Sequence, residues 1–208
     1  MVKIELANIG KKYRNEWIFR NTNLTFSSNE SYTFVGPNGS GKSTLLQVIA
    51  GSLPQSEGQL AYIENGKVLS IEEFYKKITI AAPYLELIEE FTLLEMVDFH
   101  IKFKPLKNNI SPVQFLDLIQ LAHHKNKSIK NFSSGMKQRL KLGLAFYSDC
   151  PVIMLDEPTS NLDAQASGWY LSQVEQHTQN RLLIICSNQP QEYTFCKNII
   201  DIRDYKLK

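Results

Sequence analysis

The stretch Val35-Gly36-Pro37-Asn38-Gly39-Ser40-Gly41-Lys42-Ser43-Thr44 has the residue types and spacing of a phosphate cradle. Gly36, Gly41, Lys42 and Ser43 match the phosphate-loop pattern G-x-x-x-x-G-K-[ST]. Glycines at those points let successive backbone N–H groups crowd around an anion. In such a loop Lys42 reaches the β and γ phosphates, Ser43 holds Mg²⁺, and the helix that starts there turns its positive end to the nucleotide. A mere Gly-rich turn ahead of a helix leaves the context unexplained. The apolar run Tyr32-Thr33-Phe34-Val35 enters the loop and Leu45-Leu46-Gln47-Val48-Ile49-Ala50 leaves it with helical character, the strand, loop, helix order that the motif needs.

A second group able to do chemistry is Asp156-Glu157-Pro158, at the end of the apolar run Pro151-Val152-Ile153-Met154-Leu155. That run is flanked by helical stretches and reads as a buried parallel strand, and open α/β sheets place ligands at the carboxyl ends of such strands. Asp156 is a candidate Mg²⁺ ligand, directly or through water, and Glu157 a candidate to polarise an attacking water. A solvated acidic turn is the alternative for an Asp-Glu pair taken alone.

Elements that must position these groups follow in order. Residues 2–9 and 18–26 read as two strands of a small sheet. Lys11-Lys12-Tyr13-Arg14-Asn15-Glu16-Trp17 lies between them, where Tyr13 is either a ring to stack on a purine or a half-buried loop tyrosine. Beyond the phosphate loop, the helix ends near Gly51-Ser52-Leu53-Pro54, and Asn65-Gly66 is a hairpin signal in a β segment opened by Gly58. Ile78-Thr79-Ile80-Ala81-Ala82 is a further strand, stopped by Pro83. From 84 to about 150 the pattern turns helical, with capping boxes at Thr92-Leu93-Leu94-Glu95 and Ser111-Pro112-Val113-Gln114. Asp163 to Thr178 reads as a helix, Leu182 to Cys186 as a buried strand and Asn198 to Ile202 as an edge strand. The fold class is α/β, with a helical insertion in the core.

At 208 residues the chain suits one domain with a sizeable core, and its 43% hydrophobic and 21% charged content is that of a globular protein. No apolar stretch reaches bilayer-spanning length, and the charged, alternating start Met1-Val2-Lys3-Ile4-Glu5-Leu6 does not resemble a signal peptide, so any membrane role is expected to come through a partner. A net charge of +2 gives no electrostatic case for direct nucleic-acid binding. Cys150, Cys186 and Cys196 lack metal-ligand spacing and read as reduced core thiols, while His123-His124 reads as an exposed pair at a helix end.

Phe132-Ser133-Ser134-Gly135-Met136-Lys137-Gln138-Arg139 resembles the LSGGQ signature of ABC-type ATPases. Ser133 and Gly135 match, Gln138-Arg139 match the usual continuation, and Ser134 and Met136 depart from it. The resemblance covers essentially the whole chain and is similar to small bacterial exporter-type subunits. It implies a phosphate-loop NTPase (RecA-like) core with a small N-terminal antiparallel β subdomain and an inserted helical subdomain. One ABC ATPase domain would span 1–208, with 1–83 and 151–208 as the nucleotide-binding core and 84–150 as the helical part.

By the same resemblance Tyr13 falls at the adenine-stacking position, Gly36 to Thr44 at Walker A, Asp156 and Glu157 at Walker B, and Ser160-Asn161-Leu162-Asp163 at the D-loop. Ser133 and Gly135 would contact the nucleotide held by a partner subunit. ATP and Mg²⁺ are the implied cofactors. A second copy or a similar subunit, and a separate transmembrane permease gripped by residues 84–110, are the implied partners, with the chain cytoplasmic and peripheral on the inner face of the membrane. Two positions depart from the family. Counting back from Thr92 puts Pro83 where the Q-loop glutamine belongs, leaving Glu86 or water to substitute. After the strand Leu182 to Cys186, Ser187-Asn188-Gln189 replaces the switch histidine, so Asn188 would donate to the γ-phosphate without carrying charge. Binding is expected to persist while hydrolysis slows. The competing readings are a regulatory ATP-switched module with little turnover and a soluble ABC ATPase acting on ribosomes or DNA.

Overall fold

The computed structural model describes residues 1–206 and divides them into two compact units. The first holds residues 1–78, 151–156 and 180 onward; the second holds 79–150 and 157–179. Strands β1 (Val2–Tyr13), β2 (Glu16–Ser27), β4 (Glu57–Glu64) and β5 (Lys67–Leu69) form an antiparallel sheet in the order β2-β1-β4-β5. Asn65 and Gly66, both at positive φ, make the turn between β4 and β5 as a two-residue hairpin requires.

β1 and β2 are longer than the sequence pattern predicts, and Lys11, Lys12 and Tyr13 belong to β1 while Glu16 and Trp17 belong to β2. The ladder between them shifts register at Leu6/Ile9, Ile9/Lys11 and Lys11/Lys12, and Asn8 sits at φ 52°. Bulges of this kind break the inside-outside alternation that marks a strand in sequence, so the strand continues where its pattern stops.

The parallel strands of the same unit are β3 (Ser31–Val35), β7 (Val152–Asp156), β8 (Leu182–Cys186) and β9 (Asn198–Asp201), running side by side as β7-β8-β3-β9. Every residue of β7 and β8 is buried, as expected of a parallel sheet covered on both faces. Helix α1 (Lys42–Ile49) follows β3 and contacts β7 and β8, burying Leu45, Leu46, Val48 and Ile49. A short helix α2 (Ile71–Tyr75) opens with a capping box, Ser70 and Glu73, that sequence reading missed. Strand β6 (Ile78–Ala81) leads into the helical unit.

That second unit contains α3 (Leu93–Ile101), α4 (Pro112–Leu118), α5 (Ser134–Tyr147) and α6 (Ala164–His177). Both predicted capping boxes are formed, Thr92 with Glu95 at α3 and Ser111 with Gln114 at α4, so each helix starts where its local chemistry says. The core joins α3 to α4 and α5 to α6 around the fully buried Phe115, Phe146 and Tyr170. Cys150, Cys186 and Cys196 are buried free thiols, and burial pushes the Cys196 thiol up to about 12. His123 is exposed, but His124 is half-buried with its ring edge-on to Phe132 at 6.4 Å. Among the described residues no helix is long and apolar enough to cross a membrane.

Candidate functional site

Sheet register brings the two sequence motifs to one edge. Phe34 is opposite Cys186 on β8, and Cys186 is opposite Asp156 on β7. The end of β3, from which the phosphate loop springs, is therefore two strands from Asp156, about 10 Å at the usual spacing. Asp156 is only 1% exposed. Asn188 leaves the strand between them and donates from its carboxamide to Asn38 Oδ1 at 2.6 Å.

Within the loop, the backbone is shaped by two glycines. Gly36 lies at φ 141° and Gly41 at φ 105°, and a Cβ there would stand 2.8 Å from Ile202 Cγ2 and 2.6 Å from Ile18 Cγ2, respectively. Gly39 faces open space. Lys42 is 5% exposed, and its ammonium folds over the loop to donate to the Gly36 carbonyl at 2.7 Å and the Pro37 carbonyl at 3.3 Å. Ser40 Oγ is buried without a hydrogen-bond partner. Gly41, the N-cap of α1, provides no side-chain cap, and the first turn of α1 contains no acid. The unpaired N–H groups that open a helix, a buried hydroxyl and a nearby ammonium are groups that fit a polyphosphate. Ser43, half-buried in that first turn, and Asp156 are hard oxygen donors of the kind Mg²⁺ takes. Thr44 follows, also half-buried.

Glu157 is half-buried and sits at φ 43°, a left-handed conformation that costs a residue with a Cβ about 1–2 kcal/mol. Sites of stored backbone strain cluster where a side chain must be aimed. Its carbonyl accepts from Ser160 N at 3.0 Å, closing the turn into Asn161 and Leu162. Tyr13, at the end of β1, is 49% exposed and carries the Lys11 ammonium 5.2 Å from its ring centre. The ring thus presents a face to solvent rather than packing as a half-buried loop residue.

In the helical unit, Ser133 caps α5, accepting from Met136 N at 3.2 Å, and Gly135 lets the Asn161 carbonyl approach to within 3.0 Å of where a Cβ would be. Ser133, Gly135, Arg139, Asn161 and Asp163 line one concave surface of about 420 Å³. Asp163 also caps α6, accepting from Ala166 N at 2.8 Å.

A family model described as ABC transporter matches residues 19–160 of the chain. The chain belongs to the ABC transporter family. Among curated ABC relatives, the maltose/maltodextrin import ATP-binding protein MalK of Mannheimia succiniciproducens is 34% identical over 167 residues, covering 79% of this chain and 45% of MalK. This chain therefore spans a little under half of that relative's length. Among solved ABC structures, a putative ATP-binding protein from Pyrococcus furiosus superposes with a TM-score of 0.79 at 20% identity, covering 99% of this chain and 100% of that one. An ATP-binding cassette solved as a dimer in a post-hydrolysis state with ADP and Pi gives 0.84 at 22% identity, covering 99% and 96%. These likenesses establish the fold as that of the ABC ATPase cassettes, an α/β phosphate-loop NTPase with an antiparallel sheet beside a parallel one.

Two residues make contacts that the motifs did not foretell. Gln138, 3% exposed, donates from Nε2 to the Pro158 carbonyl at 2.8 Å, tying α5 to the segment after Glu157. Lys141, one turn further on, donates to the Ala82 and Pro83 carbonyls at 3.2 Å each. Burial, and then Lys137, hold the Lys141 ammonium below the usual lysine range. A sequence signal for Gln138 existed, since it continues the signature, but its partner lies in a turn that only the fold defines.

Proposed function

We propose that the chain is the ATP-binding and ATP-hydrolysing part of an ABC transporter. It would act as one cassette over 1–208, dimerising around two ATP and two Mg²⁺ to drive a separate membrane subunit. The observation that carries the reading is the single row Phe34, Cys186, Asp156, which aligns the root of the phosphate loop with the Walker B acid. In it, the loop amides from Gly36 to Thr44 and the Lys42 ammonium bind the β and γ phosphates, and Tyr13 stacks on adenine. Ser43 and Asp156 would hold Mg²⁺, which when bound neutralises charge on the phosphate oxygens. Glu157 accepts a proton from the attacking water and Asn188 donates to the γ-phosphate. Ser133 and Gly135 would meet the partner's nucleotide, and residues 84–110 a cytosolic loop of the permease, leaving the chain cytoplasmic and peripheral at the membrane.

Relatives named as import ATP-binding proteins, and the dimeric cassette with ADP and Pi, support this reading. Phosphate release by the purified chain, alone and with its copurified permease, is expected to exceed that of Lys42→Ala by at least about a hundredfold. Glu157→Gln with ATP is expected to run at twice the monomer mass. Release equal to Lys42→Ala, with dimerisation intact, would instead leave the regulatory module, which the paired departures at Pro83 and Asn188 favour. A monomer under every condition would sink both.

A further inference from the structure

We propose that Asn38 is the positioning residue for Asn188, its side-chain carbonyl holding the carboxamide that stands where the family's switch histidine belongs. The inference rests on the ATPase reading above. Both residues are exposed, yet their amides meet at 2.6 Å across 150 residues of sequence.

Backbone contacts fix both ends of that bond. On the Asn188 side, Ser187 is fully buried and its N–H donates to the Phe34 carbonyl at 3.2 Å, extending the β8 ladder one residue past Cys186. Gln189 N then donates to Ser187 Oγ at 2.8 Å, closing a tight turn with Asn188 at its apex. Below it, the Cys186 thiol donates to the Lys42 carbonyl at 3.5 Å. On the Asn38 side, Lys42 holds the Gly36 and Pro37 carbonyls, and Ser40 N donates to the Pro37 carbonyl at 3.1 Å. Two braced backbones thus present two short side chains to each other.

The chemistry explains why a holder is needed. An imidazole reaches further than a carboxamide, and because the terminal torsion is broad and soft in either group, the shorter one needs a partner to fix its direction. Asn Nδ2 carries two hydrogens, and giving one to Asn38 orients the other for a phosphate oxygen. An exposed amide pair adds little net stability, so its consequence is orientation. The donor it orients does not titrate, so turnover should carry no histidine-like step near neutral pH.

Steady-state phosphate release by the purified chain tests this in Asn38→Ala, Asn188→Ala, the double variant, Asn188→His, and Asn38→Ala combined with Asn188→His, with Lys42→Ala as the floor. Either single alanine should lower kcat about tenfold at unchanged KM for ATP, and the double variant should fall no more than about twofold further, because both remove one oriented donor. In the Asn188→His background, removing Asn38 should cost less than about twofold, and kcat should acquire a pH dependence near the ordinary histidine range. Additive losses, or an Asn38→Ala effect on KM alone, would overturn the proposal while leaving the ATPase reading standing. A wild-type rate no higher than Lys42→Ala would remove the ATPase reading and this inference with it.

Discussion

Gln138 Nε2 donates to the Pro158 carbonyl at 2.8 Å in a buried setting, so helix α5 and the turn after Glu157 share one buried hydrogen bond. Replacing Gln138 by alanine leaves that carbonyl without its donor inside the protein. The expected loss is about 1–3 kcal/mol of unfolding free energy. Urea denaturation of the variant should show the midpoint lowered with an unchanged slope, and an unaltered midpoint would show the carbonyl finding another donor.

Glu157 at φ 43° carries a backbone cost that a residue with a Cβ pays in the left-handed region. Glycine has no such cost, so Glu157→Gly should raise stability by up to about 1–2 kcal/mol while abolishing turnover. Glu157→Gln, which keeps the Cβ, should lose turnover without that gain. Thermal melts of the two side by side separate backbone strain from the carboxylate's own role.

A half-buried histidine gives the helical unit a pH response. His100 Nε2 lies 2.8 Å from Ser148 Oγ, and burial, reinforced by the nearby Lys104, lowers its pKa to about 4. In the unfolded chain the same imidazole titrates near 6.5, so between the two values the unfolded state binds the extra proton. Stability is then full above pH 6.5 and falls as the pH drops toward 4, by at most about 3 kcal/mol. His100→Gln keeps a polar partner for Ser148 but does not titrate there. Its urea midpoint should change less between pH 7.5 and 4.5 than the wild type's does.

How much of this was legible in the sequence depends on how local each determinant is. The phosphate loop and the boxes at Thr92–Glu95 and Ser111–Gln114 are each set by residues within a few positions, and all three boundaries follow from that chemistry. The Ser70–Glu73 box has the same signature but opens only the five-residue α2, too short to show a helical period. Lys11 to Tyr13 were hidden by bulges that scramble a period of two. Asn38 with Asn188, and Gln138 with Pro158, join residues whose meeting depends on strand order and helix packing, and no spacing rule reaches that far.

Two helix glycines should respond to the same substitution with opposite signs. Gly143 lies in the middle of α5, and a Cβ there would stand 2.4 Å from Ile119 Cγ2 and 3.2 Å from Phe115 Cζ. Neither neighbour has room to retreat, since Ile119 and Phe115 are both fully buried. Overpacking of that kind costs about 1–3 kcal/mol, more than the helix propensity alanine adds. Gly168 in α6 is exposed and a Cβ there would meet nothing within 4 Å, so only propensity acts. Gly168→Ala should therefore stabilise by about 0.5–1 kcal/mol. Because the two changes are chemically identical, their difference isolates packing from backbone entropy. Chemical denaturation of both single variants should bracket the wild type, and equal shifts in one direction would show that α5 does not press on Ile119 as the structure has it.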